Sequence, residues 1–359
     1  MGNREIHQLV HTLSYGDAIS TEVLSLKRCF QEMGFKSEIY AINVHPLLKG
    51  QALDYRDFPH DFTGEVVFHF SLGSPLSELY ENLTTASRTM IFHNLTSPCW
   101  FEGVNPRIVR DLKDGQKQLP EMCKISDRVV ADSPFNAREL AELGFKAEVL
   151  ELAIDEQKWG VEPNAGIAQL IANDPSLHVV HTGRLAPNKC IEDIIKTFYF
   201  LHHKINRQSK LWLVGIDIDT ELYSFSLKRM VDEFDLTDSV NFVGCLADSE
   251  LKALYQNADV YMCMSEHEGF CLPVIEAMYF GLPVIAFAST ALPETVGTGG
   301  ILVKEKRHPY MAELIQKIYE DEAFRNNLKT AGRERIKHFT LERFAKDVAT
   351  LFKEQPIKK

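Results

Sequence analysis

Residues 266–287, EHEGFCLPVIEAMYFGLPVIAF, set two acids, Glu268 and Glu276, across a loop-to-helix junction. Pro273 suits the first helical turn, where its missing N–H costs nothing, and Gly281 suits the position past the helix end. The run GLPVIAF then reads as a fully buried strand. Such a helix points its orphan N–H groups, those around Cys271 and Leu272, at whatever lies in front of it. That is a phosphate-binding arrangement made from backbone alone. Carboxylates beside it would repel an anion unless they bind hydroxyl groups instead. A ligand with both phosphates and hydroxyls is a sugar nucleotide.

Outward from this segment, apolar runs alternate with helical patterns, the signature of βαβ units and a parallel sheet. Strand-like runs fall at 6–13, 38–44, 65–70, 89–94, 128–133 and 147–152 in the first half. In the second they fall at 177–183, 211–216, 239–244, 259–265, 283–287 and 300–303. The stretch KWGVEPNAGIAQLIANDPS, residues 158–176, is the most loop-like joint, with Pro163, Asn164, Gly166 and Pro175 as punctuation. The expected organisation is an N-terminal Rossmann-like domain over 1–160, a second over 161–340, and a terminal helix over 341–359 that crosses back to the first.

The chain has 359 residues, comfortable for two domains. Its net charge of −11 argues against a general polyanion binder but not against a local cationic pocket. No window approaches the ~20 apolar residues of a transmembrane helix. The start, MGNREIHQLVHTL, has no apolar leader core, and Ile6 stands where myristoylation needs Ser or Thr. Seven scattered cysteines with no CxxC fit a reducing cytoplasm, and neither they nor the thirteen histidines form a metal-ligand spacing. A cytoplasmic protein is expected, and peripheral contact at the inner face of the membrane is compatible with that.

Five further stretches carry candidate chemistry. HTGRLAPNKC, residues 181–190, places Arg184 and Lys189 after a buried strand, where open α/β sheets bind ligands. Asp217-Ile218-Asp219 matches a metal-chelating pair, but with two cations at hand no metal is needed, and the aspartates read as a rim loop. In SYGDAIS, residues 14–20, Gly16 permits close backbone approach and Asp17 is a good helix cap. In TMIFHNLTSPCWFEG, residues 89–103, His93 and Asn94 end a strand, and Trp100 offers an aromatic face to a sugar. Arg107, Arg110, Lys113 and Lys117 recur at helical spacing, a stripe suited to phosphates or anionic lipid and more commonly a solvated face.

The segment EGFCLPVIEAMYFGLPVIA resembles the defining motif of the family 4 retaining glycosyltransferases, which have two facing Rossmann-like lobes, the GT-B fold, with a cleft between them. The resemblance implies that Glu276 binds ribose hydroxyls and Glu268 the donor sugar, and that 269–272 (Gly269, Phe270, Cys271, Leu272) present N–H groups to sugar and diphosphate. The family often has Gly where Cys271 stands, which narrows the space. Arg184 and Lys189 match the family's diphosphate-binding cations. The same resemblance implies that Gly16 faces the donor phosphates, that Gly244 in VNFVGCL lies near the nucleobase, and that His93 contacts the donor sugar. Catalysis is assigned by the resemblance to His93, Glu268, Arg184 and Lys189, and the acceptor side to Asp17, Asn94 and Trp100.

The expected activity is metal- and cofactor-independent transfer of a hexose, with retention, from UDP-glucose or a related UDP-sugar. The acceptor is a hydroxyl of a glycan or lipid-linked glycan in cell-surface polysaccharide synthesis. A sugar-nucleotide epimerase or hydrolase of the same architecture, or a non-catalytic sugar-nucleotide-binding subunit, stays open.

Overall fold

The computed structural model describes residues 4–353; residues 1–3, at the start of the expected first domain, and 354–359, the end of the expected terminal helix, lie outside the described residues. The chain forms two compact units. One comprises the chain up to Cys99, Pro106–Ala153 and the segment from Thr340; the other comprises Trp100–Asn105 and Ile154–Phe339.

The first unit holds a seven-stranded sheet of β1 (Ile6–Leu13), β2 (Ile39–Val44), β3 (Leu53–Asp54), β4 (Glu65–Phe70), β5 (Ser87–Phe92), β6 (Arg128–Ala131) and β7 (Glu148–Val149). All pair in parallel, in the order β3-β2-β1-β4-β5-β6-β7. Strands buried on both faces read as continuous apolar runs, and β4 divides its side chains accordingly. Phe68 and Phe70 join Tyr80 and Met90 on one face, while Val67 meets Ile91 and Val130 on the other. The terminal helix Leu341–Lys353 belongs to this second face. Its Phe352 ring packs edge-on to Phe30 with centroids 4.9 Å apart, and Val348 is fully buried.

The second unit holds β8 (Leu177–Thr182), β9 (Ser209–Val214), β10 (Val240–Gly244), β11 (Val260–Cys263), β12 (Val284–Phe287) and β13 (Ile301–Val303). They are again all parallel, in the order β10-β9-β8-β11-β12-β13. In both sheets the order reverses once, between β1 and β4 and between β8 and β11. The loops leaving the carboxyl ends of those strands diverge there and open a crevice, the general ligand position of such sheets.

The joint expected over 158–176 is not a loop throughout: Ala165–Ala172 is an α-helix. Asn164 is its cap, its side chain accepting from Ile167 N at 3.0 Å. Pro163 and Asn164 therefore mark a helix start, and AGIAQLIA, rich in good helix formers, continues it.

Beside the switch point of the second sheet, the ends of β8 and β9 make one close backbone approach. A Cβ on Gly215, just after β9, would lie 1.9 Å from the carbonyl oxygen of Gly183, just after β8, and Gly215 has φ +154°. Only glycine fits both conditions. Gly215→Ala should destabilise the protein by at least about 2 kcal/mol in urea unfolding, the scale of overpacking in a tight interior.

Candidate functional site

Two loops meet at the switch point of the second sheet: the one after β8, carrying Arg184 and Lys189, and the one after β11, carrying Glu268. Asn188 joins them, its Nδ2 donating to His267 O at 3.0 Å and its carbonyl accepting from Glu266 N at 2.9 Å. Glu268 is pinned from a third side, where its N–H donates to Thr290 Oγ1 at 2.9 Å. In this frame Lys189 Nζ donates to Glu268 Oε2 at 2.6 Å. Burial resists both charges, but each is outweighed by its partner. The Glu268 carboxyl is held below its ordinary range and the Lys189 ammonium above its own. Glu268 is therefore a buried, fully ionised carboxylate.

The helix Leu272–Tyr279 starts directly behind this pair. Its cap, Cys271, is left-handed at φ +79° and gives no side-chain hydrogen bond to the first turn. The amides of that turn keep their dipole directed outward. Along the helix, Glu276 is 5% exposed. Its Oε1 accepts from Lys158 Nζ at 3.0 Å, and its Oε2 from the Tyr255 hydroxyl at 3.4 Å. Tyr255 in turn shares its hydroxyl with Thr182 Oγ1, at the end of β8, at 2.6 Å. Two acids on one segment thus carry two lysines, beside a helix N-terminus able to bind a phosphate.

Arg184 takes a different direction. Its Nη2 donates to Ile218 O at 2.8 Å, so the Asp217-Ile218-Asp219 loop holds the guanidinium through a backbone carbonyl. Asp219 is left-handed at φ +66°, and its carbonyl accepts from Asn105 Nδ2 at 3.0 Å. Gly244 closes β10 at φ +67°, its carbonyl accepting from Gly215 N at 2.8 Å. Trp100, expected in the first domain, is part of the second unit.

In the first unit His93 is at the end of β5 with its side chain 1% exposed and both ring nitrogens engaged. Gln8 gives its amide N–H to Val23 O at 3.0 Å, so its Oε1 accepts from His69 Nε2 at 3.0 Å. Burial keeps His69 neutral, and its Nδ1 therefore accepts from His93 Nε2 at 2.9 Å. His93 Nδ1 then faces Asp132 at 3.3 Å and Glu22 at 3.4 Å. Burial opposes its charge, but the neighbouring Glu22 and Asp132 carboxyl groups raise it above the usual histidine range. Burial pushes the Glu22 carboxyl up to about 8. Asn94, left-handed at φ +78°, donates to Asn136 Oδ1 and to Glu139 Oε2, both at 2.6 Å. Gly16 is left-handed at φ +75°, and Asp17 caps helix Ala18–Glu32, accepting from Ser20 N and Oγ at 2.9 Å each.

Among the described residues, three sets of side chains bring metal-binding atoms together: Glu22, His69, His93; Cys263, Glu268, Cys271; and Cys190, Glu192, Asp193. In each set some members already have internal partners, although neither Glu22 oxygen accepts a hydrogen bond. Glu268 carries the Lys189 ammonium, the two histidines bond each other, and Asp193 accepts from Lys306 at 2.8 Å. Among the described residues no helix is long and apolar enough to cross a membrane.

Sequence reasoning missed Lys158, Tyr255, Thr290 and the Glu22–His69 partners of His93. Lys158 lies 118 positions from Glu276, so no local spacing reveals it.

Residues 167–335 match the family described as glycosyl transferases group 1. O-antigen chain mannosyltransferase B of Escherichia coli is 26% identical over 46% of this chain and 42% of its own length. GDP-mannose:cellobiosyl-diphosphopolyprenol alpha-mannosyltransferase of Xanthomonas oryzae pv. oryzae is 28% identical over 44% of this chain and 40% of its own. The matches thus span less than half the length of these relatives. Among solved structures, Anabaena HepE in complex with UDP-glucose superposes with a TM-score of 0.74 at 16% identity, over 97% of this chain and 99% of that one. Residues 167–335 are thus similar to group 1 glycosyltransferases. The two parallel Rossmann-like sheets are those of the GT-B fold.

The buried carboxyl in the first unit makes a pH prediction. Glu22 keeps its proton in the folded chain up to about pH 8, whereas the unfolded chain releases it near its ordinary value of 4.5. The stability from that proton is lost as pH rises toward 8. Glu22→Gln should lose about 2 kcal/mol less stability than the wild type between roughly pH 6.5 and 8, read by chemical unfolding across pH.

Proposed function

We propose that the protein is a hexosyltransferase that takes a hexose from a nucleoside-diphosphate sugar and places it on a hydroxyl of a glycan or lipid-linked glycan. The observation that carries this reading is the ionised Glu268, held by Lys189 at 2.6 Å in front of helix Leu272–Tyr279. In the proposed roles, the backbone amides of 269–272 and Lys189 receive the diphosphate, Glu276 the ribose diol and Glu268 the sugar hydroxyls. Arg184 adds charge from its perch on Ile218 O.

The reaction breaks the bond between the anomeric carbon and the β-phosphate oxygen, on which negative charge develops. Preorganised cations and amides in a partly buried site stabilise such charge far better than water does. The acceptor oxygen bonds the anomeric carbon on the same face, and its proton passes to the departing phosphate. Retention and independence of metal and of other cofactors are part of the proposal, with Lys189 and Arg184 supplying the charge a metal would otherwise bring. His93, which the resemblance assigns to catalysis and the donor sugar, is instead proposed to orient Asp132, because both its ring nitrogens are taken within the first unit. Asp17, Asn94 and Trp100 are assigned to the acceptor, Gly16 and Gly244 to the donor.

The family resemblance suggests a UDP-sugar such as UDP-glucose. The names of the relatives favour a mannosyl donor, GDP-mannose, which is the first to test. Cell-surface polysaccharide or glycolipid synthesis is the matching process. The exposed stripe of Arg107, Arg110, Lys113 and Lys117 suits a phosphate-bearing lipid acceptor at a membrane surface.

Thermal-shift screening with GDP-mannose and UDP-glucose should single out one donor, stabilising the fold by about 2.7 kcal/mol at a hundredfold excess over its Kd. With that donor, Lys189→Ala and Glu268→Ala should each lower kcat/KM by about 10²–10³-fold. Unchanged activity in both variants excludes this site. Full turnover of donor without acceptor points to a hydrolase or epimerase, and an inverted anomeric bond in the product, read by NMR, contradicts retention.

A further inference from the structure

Lys158 lies outside residues 167–335, the segment that matches the glycosyltransferase family, and before the second strand-rich half of the sequence. Its chemistry nevertheless centres on Glu276. The ammonium is 3.0 Å from Glu276 Oε1 and 3.9 Å from Asp248 Oδ1, with the lysine side chain 16% and the Glu276 side chain 7% exposed. The same ammonium lies 4.3 Å from the centroid of the Trp159 ring. Burial disfavours the charge on Lys158, yet Glu276 and then Asp248 more than offset it.

The backbone that delivers this side chain is fastened down. Lys252 Nζ donates to Trp159 O at 2.8 Å and to Val161 O at 2.7 Å. Trp159 is 2% exposed and packs edge-on against Phe280 with centroids 4.9 Å apart, just past the helix that carries Glu276. A lysine on a fixed support, aimed at one carboxylate oxygen, sets the plane of that carboxylate. Tyr255 on the other oxygen completes the arrangement.

We propose that Lys158 is a positioning residue of the donor site, orienting Glu276 so that its remaining lone pairs meet the ribose diol of the nucleotide. A carboxylate has about four lone-pair sites, so one bond to each oxygen leaves room for two hydroxyl donors. The lysine also supplies the counter-charge without which a buried carboxylate is strongly disfavoured. Its expected signature is selectivity for the ribose hydroxyls, with little effect on the diphosphate contacts. This inference rests on the donor reading proposed above.

The test compares GDP with 2′-deoxy-GDP, and UDP with 2′-deoxy-UDP, by isothermal titration on the intact chain and on Lys158→Met and Lys158→Arg. Both members of a pair are measured on the same protein, so a partly unfolded variant shifts them together and leaves their ratio intact. The wild type should prefer the ribonucleotide by about 10–100-fold, the range of a hydrogen bond to a charged group. In Lys158→Met that preference should fall to about threefold or less, and Lys158→Arg should restore most of it. In transfer assays Lys158→Met should raise the donor KM far more than it lowers kcat. A Lys158→Met protein that keeps the full ribose preference, or loses both nucleotides in equal proportion, overturns the role of Lys158 alone. A wild type that binds neither nucleotide overturns the donor reading and this inference with it.

Discussion

A buried carboxylate is stable only with a counter-charge, and the second sheet meets that requirement twice at its carboxyl edge. Lys189 answers Glu268 at 2.6 Å and Lys158 answers Glu276 at 3.0 Å. Removing one partner of such a pair generally costs about 3–5 kcal/mol, because it strands the other charge. The first pair forms because the strand order reverses between β8 and β11, so the two strand-end loops meet there, whereas Lys158 reaches Glu276 from the segment that precedes β8. The Gly183–Gly215 contact allows β8 and β9 to end side by side at that edge. The backbone geometry comes first, and the electrostatics are built on it.

The arrangement also separates two kinds of recognition. Helix amides and ammonium groups favour anions, whereas ionised carboxylates favour hydroxyl donors. Placed within one segment, they suit a ligand that has phosphates and hydroxyls in fixed succession. The first unit shows a contrasting use of buried charge. There Gln8, His69, His93 and Asp132 form a hydrogen-bonded chain in which each ring nitrogen has a partner, with the Glu22 carboxyl beside it. Its polar groups hold the ends of β4, β5 and β6 together instead of facing outward.

Much of this was legible wherever the signal is local. Pro273 and Gly281 bracket the helix Leu272–Tyr279, and Gly281 takes the positive φ, +76°, that the position past a helix end requires. The parallel sheets followed from alternating buried runs and helical patterns. Meetings of residues distant in sequence were not legible in spacing. Lys189 and Glu268 are 79 positions apart, and only the family resemblance placed them in one site. Lys158 had neither spacing nor resemblance to reveal it. Asp217 and Asp219 read as a rim loop, yet the atom there that holds Arg184 is the Ile218 carbonyl, which backbone chemistry hides from a sequence. Pro163 and Asn164 misled because the same residues punctuate loops and begin helices.

The central claim is that one segment divides a nucleotide's phosphates from its hydroxyls. A crystal structure of the chain with a bound nucleoside diphosphate tests it most directly. The account predicts the ribose diol on the Glu276 carboxylate and the diphosphate on the amides of 269–272, with Lys189 at the terminal phosphate. A nucleotide ordered away from both glutamates, or one with its phosphates against Glu276, would contradict it.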